Sequence, residues 1–220
     1  FHRDREWNPT QNRWMGHERK RGKLAALNAL LLRGNSEAFS LIVGDPSRIG
    51  AVRYVITLDS DTQLPWDGAR RMIETIDHPL NRPALNKEGT SVVAGYTIIQ
   101  PRVGHLEAEG GATRYARLFG GETGLDQYTR SSADLYHDLF GEGSYTGKGI
   151  YDVAAFDRLL EHRFPDNRIL SHDLIEGCFA RATVATDVVV FEEYPATYAV
   201  ENNRRQRWIR GDWQIAAWLG

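Results

Sequence analysis

Two carboxylates, Asp59 and Asp61, follow the apolar run Tyr54-Val55-Ile56-Thr57-Leu58 with only Ser60 between them. In open α/β sheets, ligands bind outside the carboxyl ends of the strands. Paired carboxylates there suit a hard divalent cation such as Mg²⁺ or Mn²⁺, which takes oxygen ligands and commonly bridges to phosphates. The chemistry implied is a metal-dependent site for a diphosphate-bearing substrate. The competing explanation is a turn, since Asp and Ser are common turn residues. The apolar strand pattern ahead of them favours the site.

Other clusters could join it. Lys20-Arg21-Gly22-Lys23 opens a helical pattern that continues to Asn28. Cations at a helix N-terminus oppose the macrodipole, which an anion bound there would relieve; a solvated basic turn accounts for them equally. Gly141-Glu142-Gly143-Ser144-Tyr145-Thr146-Gly147-Lys148-Gly149 has glycines dense enough for backbone to approach a ligand. It is not a P-loop: Glu142 holds the required first glycine position and Gly149 follows the lysine where Ser or Thr is needed. A loop without a ligand remains open. In Ser171-His172-Asp173, with Glu176 beyond, an Asp at a helix start is either a dipole-stabilising residue or a general base. Arg204-Arg205-Gln206-Arg207-Trp208-Ile209-Arg210 sets cations beside an aromatic. Arginine forks match phosphate oxygens and a Trp face stacks on a sugar, while the same pattern describes a basic helix on a membrane surface.

The elements that must position these residues alternate. Helical spacing runs from Lys20 to Arg33, with Gly34 as a C-terminal stop. A second helix follows Pro65-Trp66-Asp67, with Asp67 as N-cap and Ala69, Met72, Ile73 and Ile76 on one face. Ser91 to Gln100 reads as a strand closed by Pro101; residues 104–149 resist assignment. Asp152 caps a helix over 152–160, and Ser171 to Arg181 is helical with Leu174, Ile175, Cys178 and Phe179 inward. Thr186 to Phe191 is a β-branched strand, and 203–219 is helical. The alternation predicts one α/β domain over 1–220, with a mostly parallel sheet flanked by helices.

Composition sets bounds. A chain of 220 residues with 41% hydrophobic and 25% charged residues is long enough for one sizeable core. A net charge of −2 offers no argument for a nucleic-acid partner. The single cysteine, Cys178, excludes an internal disulfide and a multi-cysteine metal site. No stretch approaches the roughly 18 consecutive apolar residues of a membrane span. The chain begins at Phe1 and stops within a helical pattern, and it reads as an excised piece of a longer protein.

Taken in order, the clusters resemble the catalytic core of membrane-embedded, inverting glycosyltransferases of the nucleotide-sugar-dependent, family 2-like type. The closer likeness is to the glucosyltransferase domain of cyclic β-1,2-glucan synthases. It is carried by Trp14-Met15-Gly16-His17-Glu18-Arg19-Lys20-Arg21-Gly22-Lys23, Thr57-Leu58-Asp59-Ser60-Asp61-Thr62, Thr146-Gly147-Lys148-Gly149-Ile150-Tyr151-Asp152, Leu170-Ser171-His172-Asp173-Leu174 and Arg207-Trp208-Ile209-Arg210-Gly211-Asp212-Trp213. The resemblance implies a Rossmann-like nucleotide-diphospho-sugar transferase fold, incomplete at the N-terminus. It implies UDP-glucose as donor, a growing β-glucan as acceptor and a divalent cation, Mn²⁺ or Mg²⁺, held by Asp59 and Asp61. Asp173 would be the general base. Lys23, Asn28, Glu142, Thr146, Arg207 and Trp208 would line the donor and the adjoining acceptor region. The wider family's Gln-x-x-Arg-Trp is here Arg204-x-x-Arg207-Trp208, and its Thr-Glu-Asp is Ser171-His172-Asp173, so Arg204 inherits no role. The resemblance also implies transmembrane helices and further domains in the parent chain, at the cytoplasmic face of a bacterial inner membrane.

Three other readings compete, besides another processive β-glucan synthase of the same fold. An Asp-x-Asp phosphatase needs Thr or Val where Gln63 stands. A glycoside hydrolase could pair Glu142 with Asp173, but Asp59 and Asp61 would then lack a purpose. A non-catalytic carbohydrate-binding module would explain six Trp residues, and predicts sugar binding indifferent to metal.

Overall fold

The computed structural model describes residues 1–106, 113–120, 135–169 and 172–218. Strands β1 (Glu6–Asn8) and β2 (Arg13–Met15) pair ahead of helix α1 (Arg19–Arg33). Strands β3 (Tyr54–Thr57) and β4 (Thr62–Gln63) bracket Asp59 and Asp61, and α2 (Gly68–Asp77) follows. Next come β5 (Ala84–Leu85), β6 (Val92–Ala94), β7 (Ile98–His105), α3 (Arg114–Phe119) and α4 (Leu135–Phe140). The chain continues through β8 (Gly149–Asp152), α5 (Val153–Leu160), α6 (Asp173–Ala180), β9 (Ala182–Glu192) and α7 (Tyr198–Ile215).

The central sheet has five strands in the order β3-β8-β7-β9-β4. The α/β class and the flanking helices are as expected, but the sheet is mixed rather than mostly parallel. Strands β3, β7 and β9 run one way, whereas β8 and β4 oppose them, so β7–β9 is the parallel pair and the other neighbours are antiparallel. Strand β8 inserts between β3 and β7 from the opposite end, so it needs no crossover that returns to their starting edge. This topology sets the carboxyl ends of β3 and β9 and the start of β8 along one edge of the sheet.

Alternation along the strands builds two cores. Ile99 and Ile150 face α2 and pack with Met72, Ile76, Ala185 and Val188. Their neighbours Ile98 and Tyr151 face the other way, into a cluster with Tyr145, Val153, Phe156, Leu159 and Ile175. Period-two alternation on a sheet covered on both faces requires this division. Helix α1 ends at Gly34, whose φ of +69° lets its N–H reach the Leu30 carbonyl. Asp152 caps α5 as expected, accepting from the Ala155 N–H.

Four expectations are corrected. Asp67 precedes α2 but makes no capping bond, because Arg70 and Arg71 hold its carboxylate. The strand expected from Ser91 to Gln100 is two, β6 paired with β5 and β7 in the central sheet, and β7 does not stop at Pro101 but continues to His105 across a register shift at Pro101/Arg102, an irregularity that tolerates the missing N–H. Cys178 is exposed, since the buried arc of α6 centres on Glu176 rather than on an apolar residue. The last helix starts at Tyr198, five residues earlier than its pattern suggested, with the Thr197 hydroxyl accepting from the Val200 N–H. Leu170 and Ser171 of the predicted base motif, and Leu219 and Gly220, lie outside the described residues, as do residues 107–112 and 121–134 of the middle segment.

Candidate active site

Strand β3 ends at Thr57, and a turn closed by the Thr62 N–H on the Asp59 carbonyl carries the two aspartates outward. Thr62 then pairs with Glu192, the last residue of β9, and its hydroxyl donates to Glu192 Oε1 at 2.9 Å. This pairing delivers a third carboxylate: oxygens of Asp59, Asp61 and Glu192 lie within 4.8 Å of one another. Such crowding of like charges needs cations. Lys148 Nζ stands 2.9 Å from Asp59 Oδ2 and 3.0 Å from Glu192 Oε1. Lys20 Nζ, from the first turn of α1, donates to Asp59 Oδ1 at 2.7 Å and to the Gly147 carbonyl at 2.6 Å. Burial opposes the charge on Asp59, yet Lys148 and Lys20 more than offset it and hold the carboxyl below its usual range. Burial likewise disfavours the Lys148 ammonium, and Asp59 with Glu192 lifts its pKa above the ordinary lysine value.

Gly147 lies at the centre of the site. Its φ is +84°, a conformation that residues with a Cβ rarely adopt. Its carbonyl also accepts from the Thr57 hydroxyl at 3.1 Å, and that hydroxyl shares a further hydrogen bond of 3.1 Å with buried Tyr145. The preceding residue is fixed by a core glutamine: the Thr146 N–H and hydroxyl both donate to Gln100 Oε1, at 2.6 and 2.9 Å. On the far side, a Cβ added to Gly147 would stand 2.7 Å from Asp173 Oδ1. The loop therefore lies between the Lys20–Asp59 pair and the Asp173 carboxylate.

Asp173 opens α6, where negative charge suits the helix dipole. Its Oδ1 is buried and accepts no hydrogen bond from the described residues. Behind it, His172 Nδ1 lies 2.8 Å from Glu176 Oε2 and 3.4 Å from Asp173 Oδ1. Burial works against a charged imidazole, but the carboxylates of Glu176 and Asp173 prevail and raise the His172 pKa. Burial also pushes the Glu176 carboxyl up. Both directions favour keeping a proton on the pair.

The sequence-predicted residues divide accordingly. Asp59 and Asp61 share the carboxylate cluster, Asp173 stands across Gly147 from the Lys20–Asp59 pair, and the Thr146 hydroxyl is committed to Gln100. Lys23 is exposed on α1; Lys20 is the member of its cluster that reaches Asp59. Asn28 lies about two turns farther along α1, 1% exposed, and accepts from the Tyr151 hydroxyl at 2.8 Å. Its amide joins α1 to the sheet. Glu142 pairs with Arg181 at 3.3 Å, at the end of α6. Arg207 and Trp208 are exposed on α7 and make no contact with the carboxylate cluster among the described residues. Arg207 does face the start of α1: burial lowers the Arg19 pKa, and the nearby Arg13, Arg207 and Arg210 lower it further. Arg204 lies over the Trp208 ring at 4.8 Å and pairs with Glu201, so it braces the helix.

Sequence reasoning missed Glu192, Lys148 and Gln100. A signal for Glu192 existed: it ends an apolar strand pattern, the rule that singled out Asp59. Three carboxylates within one coordination sphere's reach fit a hard divalent cation, which would be held by Asp59, Asp61 and Glu192.

Fold and site together define an α/β protein with a lysine-buttressed carboxylate cluster where β3 and β9 end and β8 begins. The particular likeness is to one long enzyme. All 220 residues are 44% identical to a segment of cyclic beta-(1,2)-glucan synthase NdvB from Rhizobium meliloti (strain 1021). The chain spans 8% of that protein's length. No family model matches the chain.

Proposed function

We propose that the chain is a glucosyltransferase catalytic domain of a cyclic β-1,2-glucan synthase, moving glucose from UDP-glucose to a growing glucan with inversion. The reading is carried by the placement of Asp173 across Gly147 from Asp59, and is supported by identity along the whole chain to part of a glucan synthase. Asp173 is suited to accept the proton of an acceptor hydroxyl, because one of its oxygens has no other hydrogen-bond donor among the described residues. The acceptor oxygen then bonds to the anomeric carbon as the bond to the diphosphate breaks, and UDP leaves with the electron pair. Attack from the face opposite the leaving group converts an α-donor into a β-link. A divalent cation at Asp59, Asp61 and Glu192 would supply charge stabilisation to the diphosphate. Arg207, near Arg19, adds positive charge at the start of α1, where donor phosphates would lie. Helix α7 exposes Trp208, Ile209 and Trp213 among its arginines, which suits the cytoplasmic face of an inner membrane. No helix among the described residues is long and apolar enough to cross a membrane, so spans and further domains would belong to other parts of the parent chain.

Calorimetric titration of UDP-glucose into the full-length protein, with and without Mn²⁺, tests the reading. Donor binding that needs Mn²⁺ and is lost in Asp61→Ala is expected. Equal binding in both proteins, or binding without metal, would remove Asp61 from the site and shift the reading to a sugar-binding or hydrolytic role.

A further inference from the structure

Lys148 is held unlike an ordinary surface lysine. Its side chain is 11% exposed, and its ammonium bridges Asp59 and Glu192 at 2.9 and 3.0 Å. These are two of the three carboxylates that would coordinate a divalent cation. The second oxygen of Asp59 is taken by Lys20. With both Asp59 oxygens engaged by ammonium groups, a cation entering the cluster meets an occupied ligand set. Glu192 is buried, and a buried carboxylate left unpaired is costly, so a tethered cation that neutralises it until metal arrives keeps the cluster intact. The backbone around Lys148 is held on both sides: the Gly147 carbonyl accepts from Lys20 and Thr57, the Thr146 N–H donates to Gln100, and Gly149 pairs with Thr57 in the sheet. Exchange must therefore come from the side chain, whose four-carbon stem can swing while the loop stays in place.

We infer that Lys148 is an internal counter-cation that competes with the divalent metal for Asp59 and Glu192, so that metal entry releases its ammonium from both carboxylates. The inference rests on the metal site of the proposed function, and goes beyond it in assigning Lys148 an exchange role. Lys20 differs, because its second bond is to the Gly147 carbonyl and it stays anchored when Asp59 turns to a metal.

The test is direct metal binding without nucleotide. Mn²⁺ is titrated into the full-length protein and followed by the electron paramagnetic resonance of the free ion, in wild type, Lys148→Met, Lys148→Gln and Asp61→Ala. The binding lost in Asp61→Ala defines the site. That binding should tighten at least about tenfold in Lys148→Met, the scale of removing one charge from within ~4–6 Å of another. Lys148→Gln, which keeps similar length and a hydrogen-bond donor without charge, should behave alike and covers the case in which the Met variant does not fold. Unchanged or weaker Mn²⁺ affinity in the folded variants would overturn the exchange role, and would instead make Lys148 part of what holds the site together. A wild type and variants that all lack an Asp61-dependent site would overturn the metal reading itself, a separate outcome.

Discussion

Asp173 is expensive to keep. A buried carboxylate oxygen without a donor costs ~1–3 kcal/mol relative to a satisfied one, and Asp173 Oδ1 has none among the described residues. Sites that strain local rules commonly trade stability for activity. Asp173→Asn is therefore expected to lower transfer about 10²–10⁴-fold, the range for losing a general base, while its melting temperature stays equal to or above wild type. A matched fall in stability would mark Asp173 as a structural carboxylate. Asp59, Asp61 and Asp173 were legible in the sequence because each sits at a local boundary, a strand end or a helix start. Glu192 stands at a strand end and Lys148 in the glycine-rich cluster, but what makes them neighbours of Asp59, strand pairing between distant segments, is not written locally. Asn28 shows the converse: a polar residue in a basic helix whose partner, Tyr151, is visible only once α1 packs on the sheet.

At the scale of the element, α6 is organised around a buried polar centre. Glu176 is almost fully buried, and the apolar spacing holds for Ile175 and Phe179, which pack in the core, but not for Cys178. The His172–Glu176 pair makes α6 sensitive to pH. His172 has a folded pKa above its unfolded value, as does Glu176, so the folded state holds protons that the unfolded chain releases. For His172, the stabilisation is complete below the unfolded value of about 6.5 and is lost as pH rises through the folded pKa. The groups that face His172 are Glu176 and Asp173, which sustain its charge, and Arg21, which opposes it. Thermal unfolding between about pH 6 and pH 9 should show a falling midpoint in wild type. Glu176→Gln, which removes the main source of the shift, should begin its fall at lower pH. A midpoint that rises across this range, or one untouched by the substitution, would dismiss the pair as a source of pH dependence. Other elements failed in the sequence for equally local reasons: Arg70 and Arg71 outcompete the α2 backbone for Asp67, and a bulge lets β7 run through Pro101.

Across the whole molecule, alternation of strands and helices identified the class but not the strand directions. Periodicity reports which faces are buried, and β3 and β8 bury the same kinds of residue whichever way they run. The direction of β8 matters because it brings Gly147 and Lys148 beside the end of β3, and a parallel β8 would carry them to the opposite edge. The resulting division of labour places packing in the two faces of the sheet and chemistry along one edge. Met72 tests that separation. It is fully buried against Ile76, Ile99, Ile150, Ala185 and Val188 on the α2 face. Met72→Ala removes methylene groups from a close-packed site and should cost about 2–5 kcal/mol. For a chain of this size, each kcal/mol lowers the melting temperature by about 2–4 °C. Well below that temperature the carboxylate cluster should be unaffected, because Asp59, Glu192 and Lys148 are held by strand pairing and ion pairs at the edge. Asp61-dependent Mn²⁺ affinity in Met72→Ala should thus match wild type within measurement error while urea or heat unfolds it earlier. Weakened Mn²⁺ binding in the folded variant would mean that α2 packing sets the geometry of the strand ends, and that core and site cannot be treated as separate.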